Sequence, residues 1–228
     1  MINKTTIAGI DTIHKTGQSA KNAIVLLHGY GANYHDLLPL QKELDSNENS
    51  HWYFPNGIEP LPAMPGYEGR AWFQIDQAFI NAQLGGEGSV DRRYKDVTTA
   101  TAKVKSLFDE ISTQHENVFI GGFSQGAILA TNLAINFDVK PAGLIILSGA
   151  YLTHEHWQEN SAKIAQIPVF QSHGMQDMVL PFVLAERLSE ILSKTGERYE
   201  FHPFAGGHEI PYPTLLALDK FLKSNHAY

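Results

Sequence analysis

Residues 122–126 are Gly-Phe-Ser-Gln-Gly, a GxSxG stretch that is typical of a serine on a turn between a strand and a helix. A buried strand is predicted at 118–120, and helical spacing follows over 125–136. A serine on a tight turn between a strand and a helix has strained backbone angles, and its hydroxyl is pushed out of the sheet. Glycines on either side prevent collisions with neighbouring backbone. The five residues alone also fit an ordinary turn with a capping serine, so the strand and helix around them carry the argument.

Short apolar runs alternate with segments of helical spacing along the 228-residue chain. Because parallel strands need crossover connections, this alternation predicts an α/β fold with a mostly parallel central sheet and helices on both faces. The length fits a single domain over residues 1–228. The predicted strands are 23–27, 52–54, 118–120, 143–147, 167–170 and 199–201, and the predicted helices are 94–111, 125–136, 182–194 and 213–223.

One connection, residues 55–90, is long for a compact domain. It carries four prolines in its first half and a cluster of three glycines, at 85, 86 and 88, in its second half. Two interpretations stay open for it. A small apolar cluster of Ala78, Phe79, Ile80 and Leu84 fits a short helix packed on the core. The same cluster fits a lid or flap that contacts a membrane above a site.

Charge and cysteine content exclude several classes of function. The chain has 17 Lys and Arg against 24 Asp and Glu, a formal net charge of −7, and no basic run, so no nucleic-acid partner is expected. The absence of cysteine excludes disulfides, thiolate catalysis and thiolate metal sites. The first ten residues lack the apolar core of a secretory signal, and the longest aliphatic stretch, 144–147, is far too short for a bilayer. We expect a cytoplasmic protein, although the lack of cysteine also suits a periplasm.

A serine hydroxyl needs a base within hydrogen-bond reach, and that base needs a carboxylate to orient it. Asp177 stands in a loop after the predicted strand that ends near His173, and His208 stands in a glycine-rich loop after the strand 199–201. The order serine, acid, histidine fits this fold, and each residue follows a strand. The sequence therefore predicts Ser124, Asp177 and His208 as nucleophile, orienting acid and base.

The remaining histidines are competitors for the role of base. His173 and His202 are expected to be structural, and His28 is expected to make a hydrogen bond that shapes its turn. His154 and His156 suggest a metal site as an alternative, but two alternating histidines without a third ligand are more typical of a solvated loop. We therefore expect no metal and no cofactor.

A second glycine-rich turn, His-Gly-Tyr-Gly-Ala at residues 28–32, follows the strand 23–27 and reaches the same edge of the sheet. Such a turn supplies a second donor to the oxygen of a tetrahedral intermediate. The backbone N–H groups of Tyr30 and Gln125 are predicted to form this oxyanion hole. Each donor of this kind typically lowers the barrier by roughly 3 to 4 kcal/mol.

Taken together, the motifs resemble those of the phospholipase/carboxylesterase family of α/β hydrolases, which includes acyl-protein thioesterases and small bacterial carboxylesterases. The resemblance implies the α/β-hydrolase fold, the same triad and oxyanion positions, and a substrate-binding role for Trp72 and Phe73 near an acyl pocket. It spans about residues 20–225 and is carried by LLHGYGAN (26–33), MPGYEGRAWFQID (64–76), GFSQGA (122–127), LSGAYL (147–152), HGMQDMVLP (173–181) and AGGHEI (205–210).

The leading hypothesis is a serine carboxylesterase that hydrolyses short to medium acyl esters through an acyl-enzyme intermediate. A lysophospholipid and a protein thioester stay open as substrates. The protein thioester would make the chain an acyl-protein thioesterase. A non-catalytic hydrolase-fold protein that only binds a ligand is the alternative from another class. A small-molecule or lipid ester is the expected partner, and both transient membrane contact through residues 77–90 and a homodimer stay open. A nucleotide-binding fold is disfavoured because neither GxGxxG nor GxxxxGK occurs.

Overall fold

The computed structural model of the chain describes residues 2–62, 68–75, 91–151, 155–194, 196 and 198–228, with only the backbone described for 91–95 and 155–156. The strands are β1 (Ile2–Ile7), β2 (Ile10–Lys15), β3 (Asn22–Leu27), β4 (His51–Pro55), β5 (Glu59–Pro60), β6 (Arg70–Ala71), β7 (Asn117–Phe123), β8 (Gly143–Leu147), β9 (Val169–Gly174) and β10 (Tyr199–Phe204). The helices are α1 (Leu38–Leu44), α2 (Asp91–Ser112), α3 (Gln125–Asn136), α4 (Glu155–Asn160), α5 (Phe182–Leu192) and α6 (Tyr212–Ser224), and a 3₁₀ turn covers Ser161–Ile164.

Eight strands form one sheet in the order β1-β2-β4-β3-β7-β8-β9-β10. The neighbours from β4 through β3, β7, β8 and β9 to β10 are all parallel, whereas β1 pairs with β2 and β2 with β4 in antiparallel fashion. The predicted mostly parallel sheet is therefore confirmed. Its parallel strands all end at one edge, and the loops that carry the predicted site residues leave the sheet there.

Side chains of the central strands alternate between two apolar cores, one on each face of the sheet. In β3, Ala23, Val25 and Leu27 enter the core that also receives apolar side chains from α2, α3 and α5. Ile24 and Leu26 enter the opposite core, which α1 and α6 cover. Because both faces are covered, β3 reads as a continuous apolar run rather than as an alternating strand. The prediction of helices on both faces is confirmed.

The turn from β7 into α3 is held by close packing against the end of β3. A β-carbon at Gly122 would lie 2.3 Å from the carbonyl oxygen of Leu27, and one at Gly126 would lie 2.0 Å from the same oxygen. Any larger residue would push the helix away from the sheet. Between the two glycines, Ser124 has φ 55° and ψ −117°, a backbone conformation that L-residues rarely adopt. The tight approach thus fixes the serine at the carboxyl edge of the sheet.

The predicted helix limits agree closely with the structure where packing is extensive. α3 has the predicted limits, and every residue from Gln125 to Ile135 is buried. α2 extends the predicted helix by three residues at its start and one at its end, and α5 ends at Leu192, two residues before the predicted end. The predicted strand at 167–170 is shifted, because the β9 ladder begins at Val169.

Six of the strands and α-helices are absent from the predicted set because their sequences carry little periodic signal, namely β1, β2, β5, β6, α1 and α4. β1 is an edge strand with five exposed residues, and it joins β2 through a two-residue turn in which Ala8 and Gly9 both have positive φ, 48° and 79°. α1 is only seven residues long and buries only Gln41 and Leu44. α4 occupies a stretch that the sequence indicates as a solvated loop.

The long connection after β4 is partly ordered by a small ribbon in which β5 pairs antiparallel with β6. Residues 63–67 and 76–90 lie outside the described part of the chain. The helix and lid hypotheses for Ala78–Leu84 both concern these residues and stay predictions. In the described ranges, no helix combines the length and apolar character needed to cross a membrane. The cytoplasmic location stays a prediction.

Candidate active site

Three side chains from three loops form one hydrogen-bonded line at the carboxyl edge of the sheet. His208 Nε2 lies 2.8 Å from Ser124 Oγ, and His208 Nδ1 lies 2.6 Å from Asp177 Oδ2. Ser124 and Asp177 are 8% and 5% exposed. The structure therefore brings together the three residues that the sequence predicts as nucleophile, base and acid, although they are far apart along the chain.

The carboxylate of Asp177 accepts hydrogen bonds on both oxygens. Oδ1 accepts the N–H groups of Val179 and Leu180, each at 2.8 Å, while Oδ2 faces His208 and also His173 Nε2 at 3.3 Å. Burial by itself would raise the pKa of Asp177, but the hydrogen bonds from His173, His208 and Leu180 outweigh it and hold the pKa well below its usual range. The Asp177 carboxylate is therefore ionised at neutral pH, where it faces the His208 imidazole.

His173 is thus close to the site, although the sequence indicates only local packing for it. The imidazole is fully buried, and its Nε2 also lies 2.8 Å from the Leu180 carbonyl oxygen. Both neighbours of Nε2 are acceptors, so Nε2 carries the proton. Nδ1 has no hydrogen-bond partner among the described residues. The only sequence signal was its position four residues before the acid.

The acid and base loops are tied to each other by backbone contacts. The N–H of Met175 donates to the Phe204 carbonyl, and the N–H of Gln176 donates to the Gly206 carbonyl, both at 2.9 Å. A β-carbon at Gly174 would lie 2.1 Å from the Gly207 carbonyl oxygen. This close approach holds Asp177 and His208 at a fixed separation before any ligand binds.

The two predicted oxyanion donors come from different elements on either side of Ser124. The N–H of Gln125 is at the first position of α3, where helix N–H groups have no partner within the helix. The turn that carries Tyr30 packs on the serine, since a β-carbon at Gly29 would lie 3.4 Å from Ser124 Cβ. Neither N–H has an acceptor elsewhere in the described residues. Both groups are therefore free to bind an oxygen beside Ser124.

His28 is buried, and both of its ring nitrogens have partners. Nδ1 lies 2.7 Å from the Gly29 carbonyl oxygen, and Nε2 accepts the N–H of Gly57 at 2.8 Å. A carbonyl can only accept and an N–H can only donate, so the ring is neutral with its proton on Nδ1. Burial lowers the pKa of His28 to about 4. The residue shapes the turn, in agreement with the sequence interpretation, and does not face Ser124.

We expect the protein to lose stability as the pH falls from 6.5 to 4. The unfolded chain protonates His28 near its ordinary pKa of 6.5, whereas the folded protein resists protonation until about pH 4. The unfolded state therefore binds more protons in this window, and the free energy of unfolding falls by about 3 kcal/mol from this group. Urea unfolding at pH 7, 5.5 and 4.5 measures the loss.

His28→Gln is the matched variant, because its side-chain oxygen replaces the acceptor of the ring and does not titrate. We expect its pH dependence of stability to be flatter than that of the wild type between pH 6.5 and 4. His14, whose pKa burial also lowers to about 4, retains its own contribution in both proteins. Equal slopes in the two proteins would contradict the assignment to His28.

Trp72 and Phe73, predicted to bind substrate, are 0% and 2% exposed and belong to the larger core. The indole N–H of Trp72 donates to the His28 carbonyl at 2.9 Å. The side-chain amide of Gln125 contacts the backbone of both residues, accepting from Trp72 N–H at 3.0 Å and donating to the Phe73 carbonyl at 2.6 Å. The substrate-binding role of Trp72 and Phe73 stays a prediction. The structure shows Trp72 in contact with His28, in the turn before Tyr30.

His202 makes its contacts outside the line of three. His202 contacts Glu200 at 3.0 Å and stacks on Phe170. His154 lies outside the described residues, as does the side chain of His156, so the metal alternative there is not tested. Among the side chains that are described, no group of three or more histidine or carboxylate ligands is placed to hold a metal ion.

The sequence profile of the phospholipase/carboxylesterase family matches residues 8–226. The chain belongs to this family. Among similar phospholipase/carboxylesterase proteins is an acyl-protein thioesterase 1 of Debaryomyces hansenii, 30% identical over 84% of this chain and 85% of its own. The carboxylesterase SOBER1 of Arabidopsis thaliana is 28% identical over 90% of each chain. The predicted family is confirmed.

Solved structures agree with the fold of this phospholipase/carboxylesterase family member. The crystal structure of esterase PE8 superposes with a TM-score of 0.75 at 25% identity, over 92% of this chain and 96% of that one. A Thermus thermophilus protein gives a TM-score of 0.76 at 16% identity, which bears on the fold alone. The predicted α/β-hydrolase fold is confirmed.

Proposed function

We propose that the chain is a serine carboxylesterase that hydrolyses carboxylic esters through an acyl-enzyme on Ser124. The observation that carries the proposal is the continuous line of hydrogen bonds from Asp177 through His208 to Ser124. Membership of the phospholipase/carboxylesterase family supports the same reaction class. The intact line of three also argues against a protein that only binds a ligand, because binding does not require an activated hydroxyl.

In the first half of the reaction, Ser124 Oγ attacks the ester carbonyl carbon and its proton passes to His208 Nε2. The carbonyl oxygen becomes an oxyanion, which the N–H groups of Gln125 and Tyr30 stabilise. Asp177 holds the Nδ1 proton of the imidazole and stabilises the imidazolium that forms. The imidazolium then gives its proton to the leaving alkoxide, and an acyl group remains on Ser124.

In the second half, His208 Nε2 takes a proton from water while the water oxygen attacks the acyl carbon. The same two N–H groups hold the second oxyanion. When this intermediate collapses, Ser124 Oγ leaves and recovers its proton from His208, and the carboxylic acid is released. The line of three thereby returns to its starting state.

A thioester is the second candidate substrate, because a relative that is 30% identical carries the name acyl-protein thioesterase 1. The same site chemistry serves both bonds, since sulfur is the better leaving group and the acyl carbon is attacked in the same way. Lysophospholipids belong to the oxygen-ester candidates. We propose oxygen esters with short to medium acyl chains as the principal class, and acyl-protein thioesters as the alternative.

A matched substrate panel tests this proposal. Oxygen and sulfur esters of acetate, butyrate, octanoate and laurate with the same leaving-group framework would be compared by kcat/KM. We expect turnover of oxygen esters with a maximum at a chain longer than acetate. A monotonic fall from acetate to laurate would contradict a medium-chain preference. A preference for every sulfur ester would favour the thioesterase, and no turnover of any member would reject the esterase.

Partners beyond the substrate stay predictions. Transient membrane contact through the segment 77–90 stays open, because the segment lies outside the described residues. A homodimer is likewise a prediction. Light scattering of the purified chain measures whether it dimerises, and the same measurement with lipid vesicles tests membrane contact. Neither result bears on the proposed chemistry.

A further inference from the structure

The two proposed oxyanion donors need a fixed separation although they belong to different parts of the chain. A hydrogen-bond donor stabilises an oxyanion only when it lies about 2.7 to 3.1 Å from the position that the oxygen takes in the transition state. The Tyr30 N–H belongs to the loop after β3, and the Gln125 N–H begins α3. Close packing of Gly126 on Leu27 holds the start of this loop against the helix. The contacts of Trp72 and Gln125 add a second tie between the two.

The direction of the Tyr30 N–H is set by His28. The Gly29 carbonyl and the Tyr30 N–H belong to one planar trans peptide and point in opposite directions. His28 Nδ1 donates to that carbonyl at 2.7 Å. The imidazole therefore draws the carbonyl to one side and turns the N–H of Tyr30 to the other.

Trp72 in turn holds the backbone of His28. Its indole N–H donates to the His28 carbonyl at 2.9 Å, and the two rings lie 5.3 Å apart between centroids. Trp72 has no exposed surface. The neighbouring backbone adds two more ties, from Gly31 N–H to the Arg70 carbonyl at 2.9 Å and from Arg70 N–H to the Ala32 carbonyl at 2.8 Å.

Gln125 closes the connection from the other side. Its side chain is fully buried, and its amide pairs with the Trp72 N–H at 3.0 Å and with the Phe73 carbonyl at 2.6 Å. The partners are a donor and an acceptor of fixed identity, so the orientation of the amide is determined. Gln125 thus contributes its backbone N–H to the proposed oxyanion hole. Its side chain also fixes the Trp72–Phe73 segment, which in turn holds the turn that carries the Tyr30 N–H.

We propose that Trp72 is a positioning residue for the oxyanion hole, which joins the Tyr30 turn to the Gln125 side chain and thereby sets the separation of the two donors. The inference rests on the proposed esterase function. It assigns Trp72 a role in transition-state stabilisation through the backbone of His28, distinct from contact with an acyl chain.

The test is Trp72→Phe, which removes the indole N–H and retains an aromatic ring. Trp157→Phe is the matched control, because Trp157 is also fully buried and its indole N–H also spans 2.9 Å, to Asn132 Oδ1 away from the site. With an octanoate ester we expect kcat of Trp72→Phe to fall at least about tenfold with KM changed less than about twofold. Trp157→Phe should retain the wild-type kcat.

A transition-state analogue separates positioning from general damage. An alkyl trifluoromethyl ketone forms a bond from its carbonyl carbon to Ser124 Oγ, the serine proton goes to His208, and the ketone oxygen becomes an oxyanion. In Trp72→Phe, the inhibition constant should rise by the factor by which kcat/KM falls. Unchanged inhibition with reduced kcat, or equal loss in both tryptophan variants, would overturn the inference.

A second variant covers the case in which Trp72→Phe fails to fold. In Gln125→Glu, the protonated carboxyl can still donate to the Phe73 carbonyl, but the ionised form cannot. We expect kcat of this variant to decline as pH rises through the pKa of the new carboxyl, a limb that the wild type lacks. A profile parallel to that of the wild type would contradict the positioning role. Wild-type protein without turnover would reject the proposed function instead, so the two failures are distinguishable.

Discussion

Ser124→Ala is expected to lower kcat for p-nitrophenyl butyrate by at least about 10⁴-fold while the folded structure persists. The hydroxyl is the only group of residue 124 that the proposed chemistry uses, and its loss leaves no atom to carry the acyl group. Steady-state kinetics measures the rate, and the midpoint of thermal unfolding reports on the fold. We expect the midpoint to stay within a few degrees of the wild-type value.

Labelling by a fluorophosphonate checks the same residue without a substrate. The wild type should take up one equivalent, because His208 activates the hydroxyl, and Ser124→Ala should take up none. Ser161→Ala is a suitable control, since its hydroxyl donates to the Gln158 carbonyl in an exposed turn outside the site. Retention of most activity, or of the label, in Ser124→Ala would reject the nucleophile.

Asp177→Asn is expected to reduce kcat by about 10⁴-fold. The N–H groups of Val179 and Leu180 require an acceptor at the Oδ1 position, so the amide oxygen takes that place. The amide NH₂ then faces His208 Nδ1, which must become the acceptor. The imidazole proton moves to Nε2, where it blocks the transfer of a proton from Ser124.

Asp219→Asn controls for the loss of a carboxylate as such, because Asp219 pairs with Lys223 and Tyr228 away from the site. This variant should retain the wild-type kcat. Nitrogen-15 NMR of histidine-labelled protein reports the tautomer directly, and the Asp177→Asn spectrum should show the His208 proton on Nε2. An Asp177→Asn protein with near wild-type kcat would remove Asp177 from the proposed mechanism.

Local sequence signals were sufficient wherever one stretch carried its own pattern. The all-buried β8 is a short aliphatic run, and α3 begins where the glycine-flanked serine turn ends. Ser124, Asp177 and His208 could be predicted because each follows a strand of a parallel sheet, so the topology alone gathers them at one edge. Their hydrogen-bond distances needed coordinates.

Contacts between distant segments left no such signal. The Gln125 side chain meets the Trp72 and Phe73 backbone more than fifty residues earlier in the chain, and a buried glutamine in a sequence gives no hint of its partner. His173 is similar, because its proximity to the Asp177 carboxylate depends on how the intervening loop folds back. The edge strand β1 could not be predicted because exposed strands lack an apolar face.

The main chain and the side chain of residue 30 are independent of each other in the proposed reaction. Its proposed contribution to the reaction comes entirely from the main chain, whose direction His28 fixes, whereas the residue as a whole is 42% exposed. The side chain can therefore change during evolution without disturbing the catalytic geometry. Diversification of this single position offers a route to altered substrate selectivity in which turnover chemistry is preserved.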